Sequence, residues 1–275
     1  MKPALLILVA AIAASCVPLP TAPESTGVPL EADGLFVLCE GLWRQDNATL
    51  AYVTRDGRAE RDVVSARNPG MRLGDTGSDL LVRGDSVYVC MSTSKSIEVL
   101  HRVTGQWVGR IRIEGAYEPY RLTFRDDTTA YCSMLSGDAV AEIDLLRFRV
   151  GVIAPVGPAP EGLCTLKDLL YVANSGLGDL RKDEEGAGTV RIIDVADLRT
   201  VGTIDGLPNV MDCIADTLRG AVWILYRHYA SQPDSLGGLV RYDVATRQIV
   251  DHVRYRSPKG LVIDPATSGV HLLHR

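Results

Sequence analysis

The side chains with the chemistry to hold a ligand are Trp43, Arg44, Asp75, Tyr117, Tyr120, Arg121, Asn174, Asn209, Arg227 and Tyr229. Aromatic rings supply contact area at low entropic cost, and the guanidinium, amide and carboxylate groups among them fix orientation, a mix that suits a large, partly apolar ligand. Catalysis has no comparable signature. The sequence holds no Gly-x-Ser-x-Gly elbow, no Walker loop, no Gly-x-Gly-x-x-Gly and no His-Glu-x-x-His. His228 stands without a recognisable nucleophile or orienting partner, so no catalytic residue is assigned.

Metal and cofactor chemistry is equally unsupported. The histidines at 101, 228, 252, 271 and 274 show no ligand spacing with the cysteines, so neither a metal site nor a cofactor is expected. Asp179, Asp183, Glu184 and Glu185 lie between glycines in a loop from 176 to 188, where hard-cation ligands are conceivable. Their spacing matches no EF-hand, and the segment reads as a solvated acidic loop.

The elements that must position these residues repeat. Residues 120–144 hold a strand-like run, a polar corner at 125–128, a second run, a corner at 136–138 and a third run, an antiparallel meander. The chain writes this unit about five times. An aromatic marks the second strand at Tyr88, Tyr131, Tyr171 and Trp223, at intervals of 43, 40 and 52 residues. Pro-x-x-Leu or Pro-x-x-Met leads into the first strand at Pro119, Pro160, Pro208 and Pro258, and an Asp ends the third at Asp144, Asp194 and Asp243.

Four strands per period and no helical pattern predict an all-β chain, a β-propeller of four-stranded antiparallel blades. Residues 35–69 read as the second, third and fourth strands of a blade without its first, the fourth near 59–65. A last copy holds two strands at 260–264 and 270–273. About five and a half blades are therefore expected here, in a ring of seven when complete, with 34–275 a C-terminally incomplete propeller. In such a ring the connections between blades and those joining second to third strands meet on one face, and the candidate ligand residues fall in these two loop families.

The start of the chain reads differently. A basic opening, an apolar run of about a dozen residues and small residues before Cys16 have the layout of a secretory signal, too short to span a bilayer comfortably. Ala13-Ala14-Ser15-Cys16 resembles a bacterial lipobox, so 1–16 is expected to be a lipoprotein signal with Cys16 the lipidated residue. The Pro-rich stretch 17–33 is expected to be a flexible tether. Membrane attachment would then rest on lipid alone, on an exported protein of the outer membrane facing the cell surface or the periplasm. The net charge of −5, with both signs interspersed and no basic cluster, excludes nucleic-acid binding through a phosphate-neutralising patch. Cys39, Cys90, Cys132, Cys164 and Cys213 sit in apolar runs and read as small buried hydrophobes rather than disulfides.

A family resemblance spans nearly the whole mature chain. Val37-Leu-Cys-Glu-Gly-Leu-Trp, Leu73-Gly-Asp-Thr-Gly-Ser-Asp-Leu, Pro160-Glu-Gly-Leu, Leu170-Tyr-Val-Ala-Asn-Ser-Gly and Val190-Arg-Ile-Ile-Asp-Val resemble the runs of YncE-like, YVTN-repeat propellers. With the lipidated start, the Leu-Gly-Asp-Thr-Gly run is similar to a surface-lipoprotein branch found beside outer-membrane uptake receptors. The resemblance implies a non-catalytic propeller that binds a small molecule, cobalamin or a related corrinoid, and passes it to a TonB-dependent outer-membrane receptor. Glu40 stands where such families often carry Asn. The alternatives are a scaffold that binds another protein and a propeller hydrolase or lactonase.

Overall fold

The computed structural model describes residues 29–256 and 258–274; the stretch expected to be a lipoprotein signal, Cys16 and most of the stretch expected to be a tether lie outside them. Antiparallel sheets follow one another along the chain as the blades of a β-propeller. The first has three strands, Leu35–Cys39 (β1), Thr49–Val53 (β2) and Ala59–Glu60 (β3). The second comprises Gly77–Arg83 (β4), Ser86–Met91 (β5), Ser96–His101 (β6) and Trp107–Arg112 (β7). The third comprises Pro119–Phe124 (β8), Thr129–Met134 (β9), Ala139–Asp144 (β10) and Arg149–Pro155 (β11). The fourth is Pro160–Leu166 (β12), Leu169–Asn174 (β13), Thr189–Asp194 (β14) and Arg199–Ile204 (β15). The fifth is Val210–Asp216 (β16), Ala221–Tyr226 (β17), Gly237–Asp243 (β18) and Gln248–Tyr255 (β19). Pro258–Asp264 (β20) and Gly269–His274 (β21) form a two-stranded sheet.

Burial explains the sequence pattern. Second and third strands are sandwiched between neighbouring blades, so β5, β9 and β13 are apolar on both faces and almost wholly buried. The fourth strands form the rim, and every residue of β19 is exposed. Core clusters join blade to blade: Tyr131 and Val140 of the third meet Leu163, Leu170 and Ile193 of the fourth, and Tyr171 and Val190 of the fourth meet Cys213 and Ile224 of the fifth. Burying a side chain such as Leu170 contributes about 2 kcal/mol. Cys90, Cys132, Cys164 and Cys213 are buried as free thiols, whereas Cys39 is exposed on the face of β1 that it shares with the exposed Leu35 and Val37.

Two local differences from the sequence reading have physical causes. The fourth strand expected near 59–65 shrinks to Ala59–Glu60, and Val63–Arg67 forms a short helix, α1. The Asp62 carboxylate caps it by accepting from the Ser65 N–H at 3.2 Å, and Val63 and Val64 point inward. Near the end of the stretch expected to be a tether, Leu30 is buried beside Tyr52 and Val63, and its N–H donates to the Val103 carbonyl at 2.7 Å.

Turns on the side away from the first-strand starts are closed by aspartates. Asp126 accepts from the Thr128 hydroxyl at 2.7 Å and from the N–H groups of Thr128 and Thr129. Asp243 accepts from the N–H and hydroxyl of Thr246, and Asp264 from the Thr267 hydroxyl and the Ala266 N–H. These bonds hold all three carboxyls below the usual carboxylate range.

The first strands β4, β8, β12, β16 and β20 stand in turn around the central channel. Each opens on a bulge, with pairing that slips after Gly77, Pro119, Pro160, Val210 and Pro258. A bulge re-aims the side chains next to it. The third residue of each strand is Asp79, Arg121, Gly162, Asp212 and Gly260. Gly162 is required by its neighbour: an added Cβ would lie 2.2 Å from Asp212 Oδ1 and 2.5 Å from Asp212 Cα. At the matching Gly260 the nearest atom, Leu273 Cβ, is 3.6 Å away. Gly162→Ala is therefore expected to destabilise by about 1–3 kcal/mol, a fall in Tm of roughly 2–10 °C, with Gly260→Ala much milder. Thermal unfolding of the two variants side by side checks this.

Candidate ligand-binding site at the channel mouth

One backbone bond recurs in each complete blade. The residue after the second strand donates its N–H to the carbonyl of the residue before the first: Ser92 to Thr76 (2.8 Å), Leu135 to Glu118 (2.9 Å), Ser175 to Ala159 (3.1 Å) and Arg227 to Asn209 (3.0 Å). These bonds draw both loop families to one end of the channel. Thr76, Ala159 and Asn209 hold positive φ angles of 59°, 50° and 42°, the local cost of turning the chain into each first strand there.

Charges gather just inside this mouth. Asp212 Oδ2 lies 3.6 Å from Arg121 Nη1, and the intervening blade offers only Gly162 at that level. From the other side Asp79 Oδ2 accepts the Leu122 N–H at 2.8 Å. Burial pushes the Asp79 and Asp212 carboxyls up, and the Arg121 charge draws them part of the way back. Glu161, 5 % exposed, is likewise raised by burial, against the Ser175 hydroxyl and the charges of Arg121 and Arg227. Tyr120 stands in the same field; burial pushes its phenol up, and the Glu161 charge adds to the shift. The channel below, about 400 Å³, is lined by Leu81, Thr123, Cys164 and Ile214 as well as by Asp79, Arg121 and Asp212.

The expected ligand residues divide accordingly. Tyr120, Arg121 and Arg227 share the electrostatic field of the buried Glu161, and among the described residues neither arginine is ion-paired with it. Arg227 and Asn209 also line a cavity of about 510 Å³ beside the mouth. Trp43 is 66 % exposed on the first blade, with the Arg44 guanidinium 4.2 Å above its ring. Tyr229 lies on the insert after β17, 5.5 Å from Lys182 Nζ. Asp75 is 7 % exposed and clamps the Trp43 loop: its oxygens accept from the Arg44 and Asp46 N–H groups at 3.1 and 3.2 Å and from the Thr76 hydroxyl at 2.6 Å. The Thr76 bond leads in holding its carboxyl low. Asn174 is fully buried, donating to Thr189 Oγ1 at 3.1 Å. Tyr117 packs over Gly137 and lines a separate groove, with Arg110, Arg112 and Phe148, between the second and third blades.

Asp79 and Asp212 were not anticipated from sequence. Their signal is a carboxylate two residues into an otherwise apolar inner strand, in Ser78-Asp79-Leu80 and Met211-Asp212-Cys213. The acidic loop 176–188 resolves into ion pairs. Arg181 forks onto Asp138 at 2.8 and 2.6 Å and onto Glu184 at 2.7 and 2.6 Å, while Asp179 binds Lys182 at 3.1 Å. Among the described residues no cluster of His, Cys, Asp and Glu has the arrangement of a metal site, and no helix is long and apolar enough to cross a membrane.

Residues 33–249 match the family described as a domain of unknown function, DUF5074. The chain belongs to this family. No curated protein matches it in sequence. Among solved structures this DUF5074 chain is similar to a proposed 6-phosphogluconolactonase of Bacteroides fragilis, with a TM-score of 0.61 at 15% identity over 88% of this chain and 74% of the other. It is also similar to the WD40 domain of Neurospora crassa Pan2, with 0.60 at 13% identity over 85% and 66%. Hydrazine synthase of Kuenenia stuttgartiensis gives 0.60 at 16% identity over 70% of this chain, which spans 53% of that one. These likenesses establish the propeller fold and nothing finer.

The mouth cluster has a testable electrostatic signature. A carboxyl whose folded-state pKa is raised binds its proton more tightly when folded, so it favours folding at acid pH and that contribution is lost as pH rises through the folded value. Removing Arg121 leaves Asp79 and Asp212 uncompensated when ionised and costs nothing of this kind when they are protonated. Arg121→Gln is therefore expected to lower Tm at pH 7 by several degrees, and the gap to the wild type is expected to narrow as pH falls toward 4.5. Thermal unfolding of both proteins across that range measures the gap.

Proposed function

We propose that this chain is a non-catalytic β-propeller, lipid-anchored through Cys16, that captures a bulky small molecule on its channel-mouth face. The ligand proposed is a corrinoid, delivered to a TonB-dependent outer-membrane receptor. The observation that carries the reading is the channel-mouth face, where Tyr120, Arg121 and Arg227 share the field of the buried Glu161 and the loops of the same face carry the exposed Trp43–Arg44 stack and Tyr229. Rings and fixed donors on one rigid rim suit a large ligand with an apolar body and a polar periphery. The commitments of the acids favour binding over turnover. Asp79 is bonded to a backbone N–H and Asp212 faces Arg121, so neither stands free as a general base. The resemblance to cobalamin-capturing lipoprotein propellers supplies the ligand and the partner. Leu42 and Trp43, both about two-thirds exposed, offer the apolar surface that a receptor would cover.

Equilibrium titration with cyanocobalamin is expected to give saturable one-to-one binding, weakened at least tenfold by Tyr120→Ala. Absence of binding to the folded protein would sink the corrinoid assignment. In an expressing Gram-negative host the chain is expected to incorporate a fatty-acid label, and Cys16→Ser to abolish incorporation. A labelled Cys16→Ser protein would remove the anchor from the reading.

A further inference from the structure

The cavity beside the mouth lies between two long inserts of the face. One insert, after β13, supplies Leu177, Asp179 and Leu180; the other, after β17, supplies His228 and Ala230; Arg227, Lys259 and Asn209 complete it. The inserts are tied together across the cavity. Asp179 accepts from the Ser231 hydroxyl and from its N–H at 3.0 Å, and Lys182 Nζ reaches Ser231 Oγ at 3.0 Å. The walls are therefore set before any ligand arrives.

Polar accounting within this cavity does not close. Asn209 is 8 % exposed, its backbone is held by the Arg227 N–H, and its side-chain oxygen is buried with no hydrogen-bond partner. His228 Nδ1 is likewise buried and unpartnered. A buried polar atom left without a partner opposes folding unless something bound supplies one. The charge does not close either. Arg227 uses Nε on the Pro258 carbonyl at 2.8 Å and feels the buried Glu161 only from beyond ion-pair distance, so that among the described residues neither Arg227 nor Lys259 forms an ion pair with a carboxylate. The acid on the wall, Asp179, is spent on Ser231 and Lys182; the Ser231 hydroxyl leads in holding its carboxyl at about 2.

We propose that this cavity is a binding subsite for an oxyanion, a carboxylate or a phosphate, carried next to a hydroxyl group. The terminal nitrogens of Arg227 and the Lys259 ammonium take the anion, a guanidinium fork being matched to two oxygens of one group. The neighbouring hydroxyl donates to Asn209 Oδ1, and Leu177 and Ala230 face the carbon skeleton. The subsite rests on the reading of this face as the ligand-binding one, and needs no corrinoid.

The test uses the folded protein and three small probes, glycerol 3-phosphate, lactate and uncharged glycerol, titrated at constant ionic strength and followed by amide and imidazole NMR shifts. Saturable shifts at Asn209 and His228 are expected with at least one of the two anions and not with glycerol; which anion binds distinguishes phosphate from carboxylate. Lys259→Gln and Arg227→Gln are each expected to weaken binding at least threefold, about 0.65 kcal/mol at RT ≈ 0.59 kcal/mol. Lys259 is exposed, so its variant serves if loss of the Arg227 bond to Pro258 disturbs the fold. No saturable shift with either anion, or equal binding by both folded variants, overturns the proposal. Cyanocobalamin binding without anion binding would overturn this subsite and leave the wider reading intact; anion binding without cyanocobalamin binding would do the reverse.

Discussion

Asp212 reaches Arg121 across a strand that has no side chain in the way. The two residues belong to the fifth and third blades, and Gly162 of the fourth leaves the gap through which the carboxylate passes. Asp79 holds the other flank by accepting the Leu122 N–H. Half-buried charges are tolerated only while each has a counterpart, because desolvation is offset by a partner in good geometry and by little else. Arg121 is thus the common counterpart of two carboxylates, and the first strands of four successive blades are held in register at one level of the channel.

Around that level the blades behave as adhesive plates. No single sheet has a protected core; the apolar side chains of each are covered by the next blade, as Tyr171 and Val190 are by Cys213 and Ile224. What converts a stack of plates into a surface with a purpose is the recurring bond from the end of each second strand to the residue before each first strand. It fixes the inserts of the fourth and fifth blades over the mouth. Arg181 adds a second restraint, forking onto Asp138 of the third blade.

Much of this architecture was legible in the sequence, for a physical reason. Strands buried on both faces are written as unbroken apolar runs, and the corners between them require Gly, Asp or residues tolerant of positive φ, so strand limits could be read closely. Side-chain direction was less legible. Asn174 ends β13 beside a long loop and reads as a surface residue, yet it is turned inward under Gly157. Asp75 lies in a loop of the mouth face, but its carboxylate is spent on the Arg44 and Asp46 N–H groups, and Tyr117 lies down over Gly137. Asp79 and Asp212 escaped notice because an acid inside a strand looks like an interruption until the bulge beside it aims it at the channel. Val63-Val64 reads as strand by its β-branched residues, and only the Asp62 cap discloses the helix.

The aspartates that close the far turns and those at the mouth lie on opposite faces of the propeller, and acid acts on them in opposite senses. Asp126, Asp243 and Asp264 contribute stability above the unfolded carboxylate pKa and lose it as pH falls through their depressed values. Asp79, Glu161 and Asp212 are relieved of a desolvation cost by the same protons. Acidification therefore loosens the molecule from its base while quieting the repulsion at its crown, so that a propeller entering an acidic surrounding would begin to fray at the end opposite the channel mouth.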